Sequence, residues 1–138
     1  MKILILCTGN SCRSQMAEGF LKAFDNKMYV VSAGTEPSDV VHPKAIEVMQ
    51  EMGINLTSNK PKSVSEFLNE SFDFVITVCG GAQETCPAFL GQVKHRVHIG
   101  FDDPALASGT NEEIINEFRR IRNEILIDFF SYYQRRIK

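Results

Sequence analysis

The chain has 138 residues, a formal net charge of −2, 43% apolar and 23% charged residues, and four cysteines. That length predicts one domain, residues 1–138, with a well-covered core, and the near-neutral charge excludes a general nucleic-acid or membrane-surface binder, so any anion site must be local. No apolar run approaches transmembrane length, and the opening MKILILC is too short for a signal peptide. The expected compartment is therefore the cytoplasm, where four cysteines stay reduced and a pattern among them points to redox or nucleophilic chemistry rather than structural staples.

Apolar runs then alternate with helical patterns, the signature of a parallel sheet wrapped by helices. Lys2 to Cys7 reads as the first strand. Arg13 to Phe24 predicts a helix with Met16, Ala17, Phe20, Leu21 and Phe24 on one face. Met28 to Ser32 is a second strand, closed by Ala33 and Gly34. Pro43 opens a second helix with Ala45, Ile46, Val48, Met49 and Met52 inward and Gly53 as its stop. A polar, irregular stretch from Asn55 to Ser63 leads to a short helix around Val64 to Asn69. Phe72 to Val78 is a buried strand, and the alternating, basic Val93 to Ile99 is a fourth, at an edge. Gly100 to Gly109 is a loop. Asn111 to about Arg136 is a long amphipathic helix packing through Ile114, Ile115, Phe118, Ile121, Ile125, Phe129 and Tyr132. Four strands with right-handed crossovers make an α/β fold, a four-stranded parallel doubly wound sheet flanked by helices, whose ligand site lies at the carboxyl ends of its strands. Cys7, Cys79 and the loop from Phe101 to Pro104 all follow strands, so the topology collects them at that edge.

The chemistry concentrates first in Cys7-Thr8-Gly9-Asn10-Ser11-Cys12-Arg13-Ser14. A strand ends on a cysteine, five residues intervene, and an arginine opens a helix. The N–H groups of Thr8, Gly9, Asn10, Ser11, Cys12 and Arg13 can turn inward as an anion nest, reinforced by the helix N-terminus. Arg13 supplies a planar fork for two oxygens. Cys7 lies at the floor, where the same field is expected to favour thiolate, and the Ser14 hydroxyl can donate to its sulfur. Gly9 permits a backbone geometry that a Cβ would obstruct, and Asn10 tolerates positive φ. Cys12 is read as structural, or as an accidental partner of Cys7 under oxidation.

A second constellation is Cys79-Gly80-Gly81 and Cys86-Pro87. The spacing is too wide for a C-x-x-C motif, yet a flexible seven-residue step could bring Cys79 and Cys86 into bonding distance if the intervening segment folded back. The alternatives are a core cysteine with a buried helix cysteine, or a zinc site, although the spacings match no common finger. The third piece is Phe101-Asp102-Asp103-Pro104. An acid held extended before proline and aimed at an anion site suits a general acid, with Asp103 the preferred donor and Asp102 second. The competing reading is an Asx turn in which both aspartates only shape the loop. His42, His95 and His98 show no metal spacing and are placed at the surface or an edge; no metal and no cofactor are expected.

These residues resemble the thioredoxin-coupled arsenate reductases, which share the fold of the low-molecular-weight protein tyrosine phosphatases. The segment from Cys7 to Gly19 looks like the reductase version, with Gln15 where the phosphatases carry proline. Similarity continues through Ser32 to Gly34, Pro43 to Ile46, Cys79 to Pro87, Gly100 to Pro104 and Phe118 to Ile125. The resemblance implies that Cys7 attacks the arsenic of bound arsenate while Arg13 and the loop amides hold its oxygens and Asp103 protonates the departing one. It further implies a Cys7–Cys79 disulfide, then a Cys79–Cys86 disulfide reduced by thioredoxin. Separately from the resemblance, a monomer is expected.

Some relatives bind potassium through residues resembling Asn10, Glu18 and Ser32 together with a threonine and an aspartate. Lys60 and Lys62 take those last two places here, so a lysine ammonium near Glu18 is expected to replace the cation. The main rival is a low-molecular-weight phosphatase acting on aryl phosphates through a Cys7 phosphocysteine, although Ala105 and Leu106 supply no aromatic to flank a substrate ring. A non-catalytic oxyanion or thiol sensor, and regeneration by a small thiol that would leave Cys86 dispensable, are the remaining alternatives.

Overall fold

The computed structural model describes residues 1–80 and 88–138. Strands β1 (Lys2–Cys7), β2 (Tyr29–Gly34), β3 (Ser71–Thr77) and β4 (Gln92–His98) form one parallel sheet in the order β2-β1-β3-β4. Its helices are α1 (Arg13–Phe24), α2 (Pro43–Gln50) and α3 (Asn111–Tyr132). This is the four-stranded parallel α/β sheet that the sequence predicts. β1 is central because its apolar run satisfies both faces. Ile3 and Ile5 enter one core with Met16, Phe20, Val48, Phe118, Ile125 and Phe129, while Leu4 and Leu6 enter another with Phe67, Phe72, Val75 and Phe89. Each fully buried Ile or Leu on this strand contributes roughly 1.5–3 kcal/mol. Among the described residues, α1, α2 and α3 all join the first core, and the second is closed by the short 3-10 turn Val64–Phe67 and by Phe89.

Several boundaries shift for identifiable reasons. β2 does not close at Ser32 but runs to Gly34, which pairs with Cys7. A Cβ on Gly34 would stand 2.2 Å from the Thr8 carbonyl oxygen, so a side chain there would keep the strand from lying against the loop after β1. α2 ends at Gln50; beyond it, Ile54 donates to the Met49 carbonyl across Gly53, and Met52 is exposed rather than inward. The expected helix at 64–69 is a four-residue turn with a Ser63/Glu66 capping box. α3 begins at its Thr110/Glu113 capping box and passes into a π-helical turn, Tyr133–Ile137, that buries Tyr133 and Ile137. β4 is an edge strand as expected, with most of its side chains exposed. No described helix is long and apolar enough to cross a membrane.

Candidate functional site

Parallel β1 and β3 end side by side, with Leu6 paired to Thr77 and the Val78 N–H donating to the Leu6 carbonyl (3.2 Å). The register therefore delivers Cys7 and Cys79 to the same carboxyl edge. Phe101 is tied there too, its N–H donating to Val78 O (3.1 Å).

Cys7 is buried (3% exposed) at the floor of the loop. Its Sγ lies 3.0 Å from Ser14 Oγ and accepts the Asn10 N–H at 3.1 Å. Asn10 has φ 52°, the left-handed conformation expected of it. Gly9 does not use that region; a Cβ there would meet Ser38 Oγ at 3.1 Å. The loop's carbonyls are turned outward onto a neighbouring segment. The N–H groups of Thr35, Glu36, Ser38 and His42 donate to the carbonyls of Cys7 (3.3 Å), Thr8 (3.0 Å), Gly9 (2.9 Å) and Ser11 (3.0 Å). Fixing those carbonyls on the outside fixes the loop's peptide planes. α1 then starts at Arg13 with Cys12 as an N-cap that makes no side-chain hydrogen bond, an arrangement that suits an anion at the helix N-terminus.

Asn10 is the hub of a buried network that joins Ser32 and Glu18, grouped with it by the resemblance, to Gln15 and Asn59. Its Nδ2 donates to Ser14 Oγ (2.8 Å) and Ser32 Oγ (2.9 Å), and Ser32 donates to Glu18 Oε1 (2.7 Å). Gln15 Nε2 donates to the Asn10 carbonyl and to Asn10 Oδ1, each at 3.1 Å, and Asn59 Nδ2 donates to Gln15 Oε1 (3.1 Å). Gln15 showed in the sequence only as a replacement for proline, and nothing pointed to Asn59. The ammonium on Glu18 is not that of Lys60 or Lys62. Lys22, one helical turn on, donates to Glu18 Oε2 at 2.9 Å, whereas Lys62 engages Asn10 through its backbone N–H (2.9 Å) and turns its Nζ to the Lys60 carbonyl. Among the described residues no cluster of His, Cys, Asp and Glu could hold a metal.

Arg13 is buried, with Nη1 donating to the Phe101 carbonyl (3.0 Å) and Nη2 3.6 Å from Asp103 Oδ2. Asp103 shapes its loop as the turn reading expects, and its other oxygen is turned to Arg13. Oδ1 caps the short turn Pro104–Leu106 by accepting the Ala105 N–H (3.0 Å), while Oδ2 faces the arginine. Asp102 points elsewhere, to Arg120 of α3 (3.3 Å). Leu106 is exposed.

The cysteines depart from expectation in one respect. Burial pushes the Cys7 thiol above its usual range, outweighing the Ser14 hydroxyl, the Asn10 amide and the Arg13 charge that pull it down. The thiolate-favouring field is present, but desolvation exceeds it. Cys12, buried behind the loop beside Ser11 Oγ (3.6 Å), is pushed up to about 12, chiefly by the same desolvation. Cys7 and Cys12 are the free thiols among the described residues; Cys79, also buried, is disulfide-bonded. Gly80 lies close against the Phe101 backbone, where a Cβ would stand 2.5 Å from the carbonyl oxygen. Cys86 and Gly81, named in the sequence analysis, lie outside the described residues.

A cysteine five residues before an arginine on an amide-lined loop, within this sheet, defines a class, and residues 2–126 match the low molecular weight phosphotyrosine protein phosphatase family. The chain belongs to that family. Within it, the chain is similar to arsenate reductases. It is 48% identical to the arsenate reductase of Halalkalibacterium halodurans, over 89% of this chain and 88% of that protein. A solved arsenate reductase in a phosphate-binding state superposes with TM-score 0.79 at 32% identity, covering 96% of each chain. The thioredoxin-dependent arsenate reductase of Corynebacterium glutamicum superposes with TM-score 0.61 at 27% identity, over 94% of this chain and 62% of that one.

Proposed function

We propose that this chain reduces arsenate to arsenite through Cys7, Cys79 and Cys86, with thioredoxin as the reductant of the final disulfide. The observation that carries the reading is the placement of Cys7 and Cys79 on adjacent strand ends of one edge, with Arg13 and Asp103 facing the same loop. A phosphatase needs the first cysteine, the arginine and the acid; a second cysteine at that edge has work only if the first intermediate is resolved by a thiol.

A tetrahedral oxyanion sits on the loop amides between Thr8 and Arg13 other than that of Asn10, which donates to the Cys7 sulfur, and is oriented by the Arg13 guanidinium. The buried Cys7 thiol gives its proton to a bound oxygen, so that thiol plus dianion reacts as thiolate plus monoanion with no change of charge in the pocket. Ser14 and the Asn10 amide steady the sulfur as it ionises. Cys7 Sγ attacks arsenic, and the departing oxygen leaves as water with a proton from Asp103. Cys79 thiolate then attacks Cys7 Sγ. A sulfur–sulfur bond forms, the sulfur–arsenic bond breaks, and its electron pair stays on arsenic, which leaves as arsenite. Two thiols have supplied the two electrons. Cys86 thiolate attacks Cys79, releasing Cys7 and moving the disulfide to Cys79–Cys86, where a dithiol reductant reaches it.

The test is the arsenite released by the fully reduced protein mixed with arsenate and no reductant. The wild type and Cys86→Ser are expected to release about one equivalent, since two thiols supply two electrons, and Cys79→Ser none. Full release from Cys79→Ser would refute the relay. Because phosphate shares the shape and charge of arsenate, slow aryl phosphate hydrolysis through Cys7 accompanies this activity.

A further inference from the structure

His42 lies outside the nucleophile, the arginine and the acid, yet three contacts hold it between the oxyanion loop and two helices. Its backbone N–H donates to the Ser11 carbonyl (3.0 Å). Its Nδ1 accepts the Lys44 N–H (3.1 Å), capping the first turn of α2. Its ring lies against Phe118 of α3, with centroids 4.7 Å apart. The charges acting on its ring are Lys44 on its own helix and Asp103 from the loop after β4, itself paired to Arg13 at 3.6 Å; α3 presents the Phe118 ring, and the oxyanion loop meets the His42 backbone through the Ser11 carbonyl.

Resting on the reading of this pocket as an oxyanion site, we propose that His42 is a positioning residue for the oxyanion loop: its backbone N–H holds Ser11, and its ring keeps that backbone in place at the start of α2 only while it is neutral with the proton on Nε2. An imidazole accepts a hydrogen bond at Nδ1 only through the lone pair there, and a protonated ring is a donor at both nitrogens. Protonation therefore turns the cap into two N–H groups facing each other, at the positive end of α2 and beside Lys44. Burial and Lys44 hold the ring's pKa below its usual value, so the neutral, capping form prevails at neutral pH. Below that range the ring is pushed from α2 and drawn to Asp103, competing with Arg13 for the carboxylate. Both movements reach the loop, and oxyanion affinity falls on acidification beyond what the ligand's own ionisation causes.

Orthophosphate binding to the reduced protein, measured by calorimetry at roughly pH 7.5 and roughly pH 5.5 on either side of the histidine range, tests this with His42→Asn and His42→Ala. Asparagine caps a helix well but does not titrate, and the ionisation of phosphate is common to all three proteins. His42→Asn should match wild type at the higher pH and bind several-fold more tightly at the lower, while His42→Ala binds more weakly at both. Parallel pH dependence in wild type and His42→Asn, or wild-type affinity in His42→Ala, would overturn the proposal. If no phosphate binds at any pH the oxyanion reading itself fails. The amide resonances of Lys44 and Asn10 then decide: titration with His42 in wild type but not in His42→Asn upholds the coupling, and indifference to pH refutes it.

Discussion

The environment of Cys7, the proposed nucleophile, is a contest between burial and local donors, and burial prevails. Cys7 is held by Ser14 Oγ and the Asn10 N–H, both of which stabilise the thiolate, yet its pKa stays above the usual thiol range. Removing the hydroxyl should push it further up. Ser14→Ala is expected to slow alkylation of Cys7 by iodoacetamide and move its pH dependence upward; a downward move would mean the hydroxyl opposes ionisation. Cys12 gives a stability prediction. An unfolded thiol ionises near pH ~8.5, whereas in the fold Cys12 holds its proton to about 12. Between those values the unfolded chain has lost a proton that the folded chain keeps, so stability is fully present below about pH 8.5 and is lost as pH rises. The slope is at most about 1.4 kcal/mol per pH unit for one thiol. Urea denaturation of Cys12→Ala should show a shallower alkaline decline than wild type, and an equal slope would place the titrating group elsewhere.

At the scale of elements, the loop after β1 is shaped by its neighbours as much as by its own residues. The segment from Thr35 to His42 donates to four of its carbonyls, and Gly34 lets β2 run close beneath it. Gly34→Ala forces a Cβ toward the Thr8 carbonyl, so β2 or the loop must shift. A loss of about 1–3 kcal/mol in stability is expected, together with a marked loss of phosphate affinity in titration; unchanged affinity would show that the loop does not depend on that contact. This is also where the sequence was least legible. β1, α1 and β4's edge position could be read because apolar periodicity records burial directly. So could the Cys7–Arg13 spacing and the arrival of the Phe101–Pro104 loop at the same edge, because a short segment carries each. The outward carbonyls, the Asn10–Gln15–Asn59 network and the N-cap formed by His42 join residues distant in sequence through backbone or amide groups, and no periodicity marks them. Lys60 and Lys62 were misassigned because the resemblance placed them at two ligand positions without saying which ammonium would turn toward Glu18, and the i,i+4 partner Lys22 does so.

For the whole molecule, the Asn10, Ser32 and Glu18 side chains are satisfied by one another, by Asn59 and by Lys22. Turnover is therefore expected to be independent of potassium. A saturable activation by potassium over sodium at constant ionic strength would contradict this. The sheet brings Cys7, Cys79, Arg13 and Asp103 to one edge, and the proposed relay uses that convergence to carry oxidation away from a buried loop. The most direct test is arsenate-dependent NADPH oxidation in the presence of thioredoxin and thioredoxin reductase, with wild type beside Cys79→Ser and Cys86→Ser. The account predicts sustained turnover by wild type and, in each variant, arrest after at most one cycle. Undiminished turnover in Cys86→Ser, or a silent wild type that hydrolyses aryl phosphates rapidly through Cys7, would contradict it.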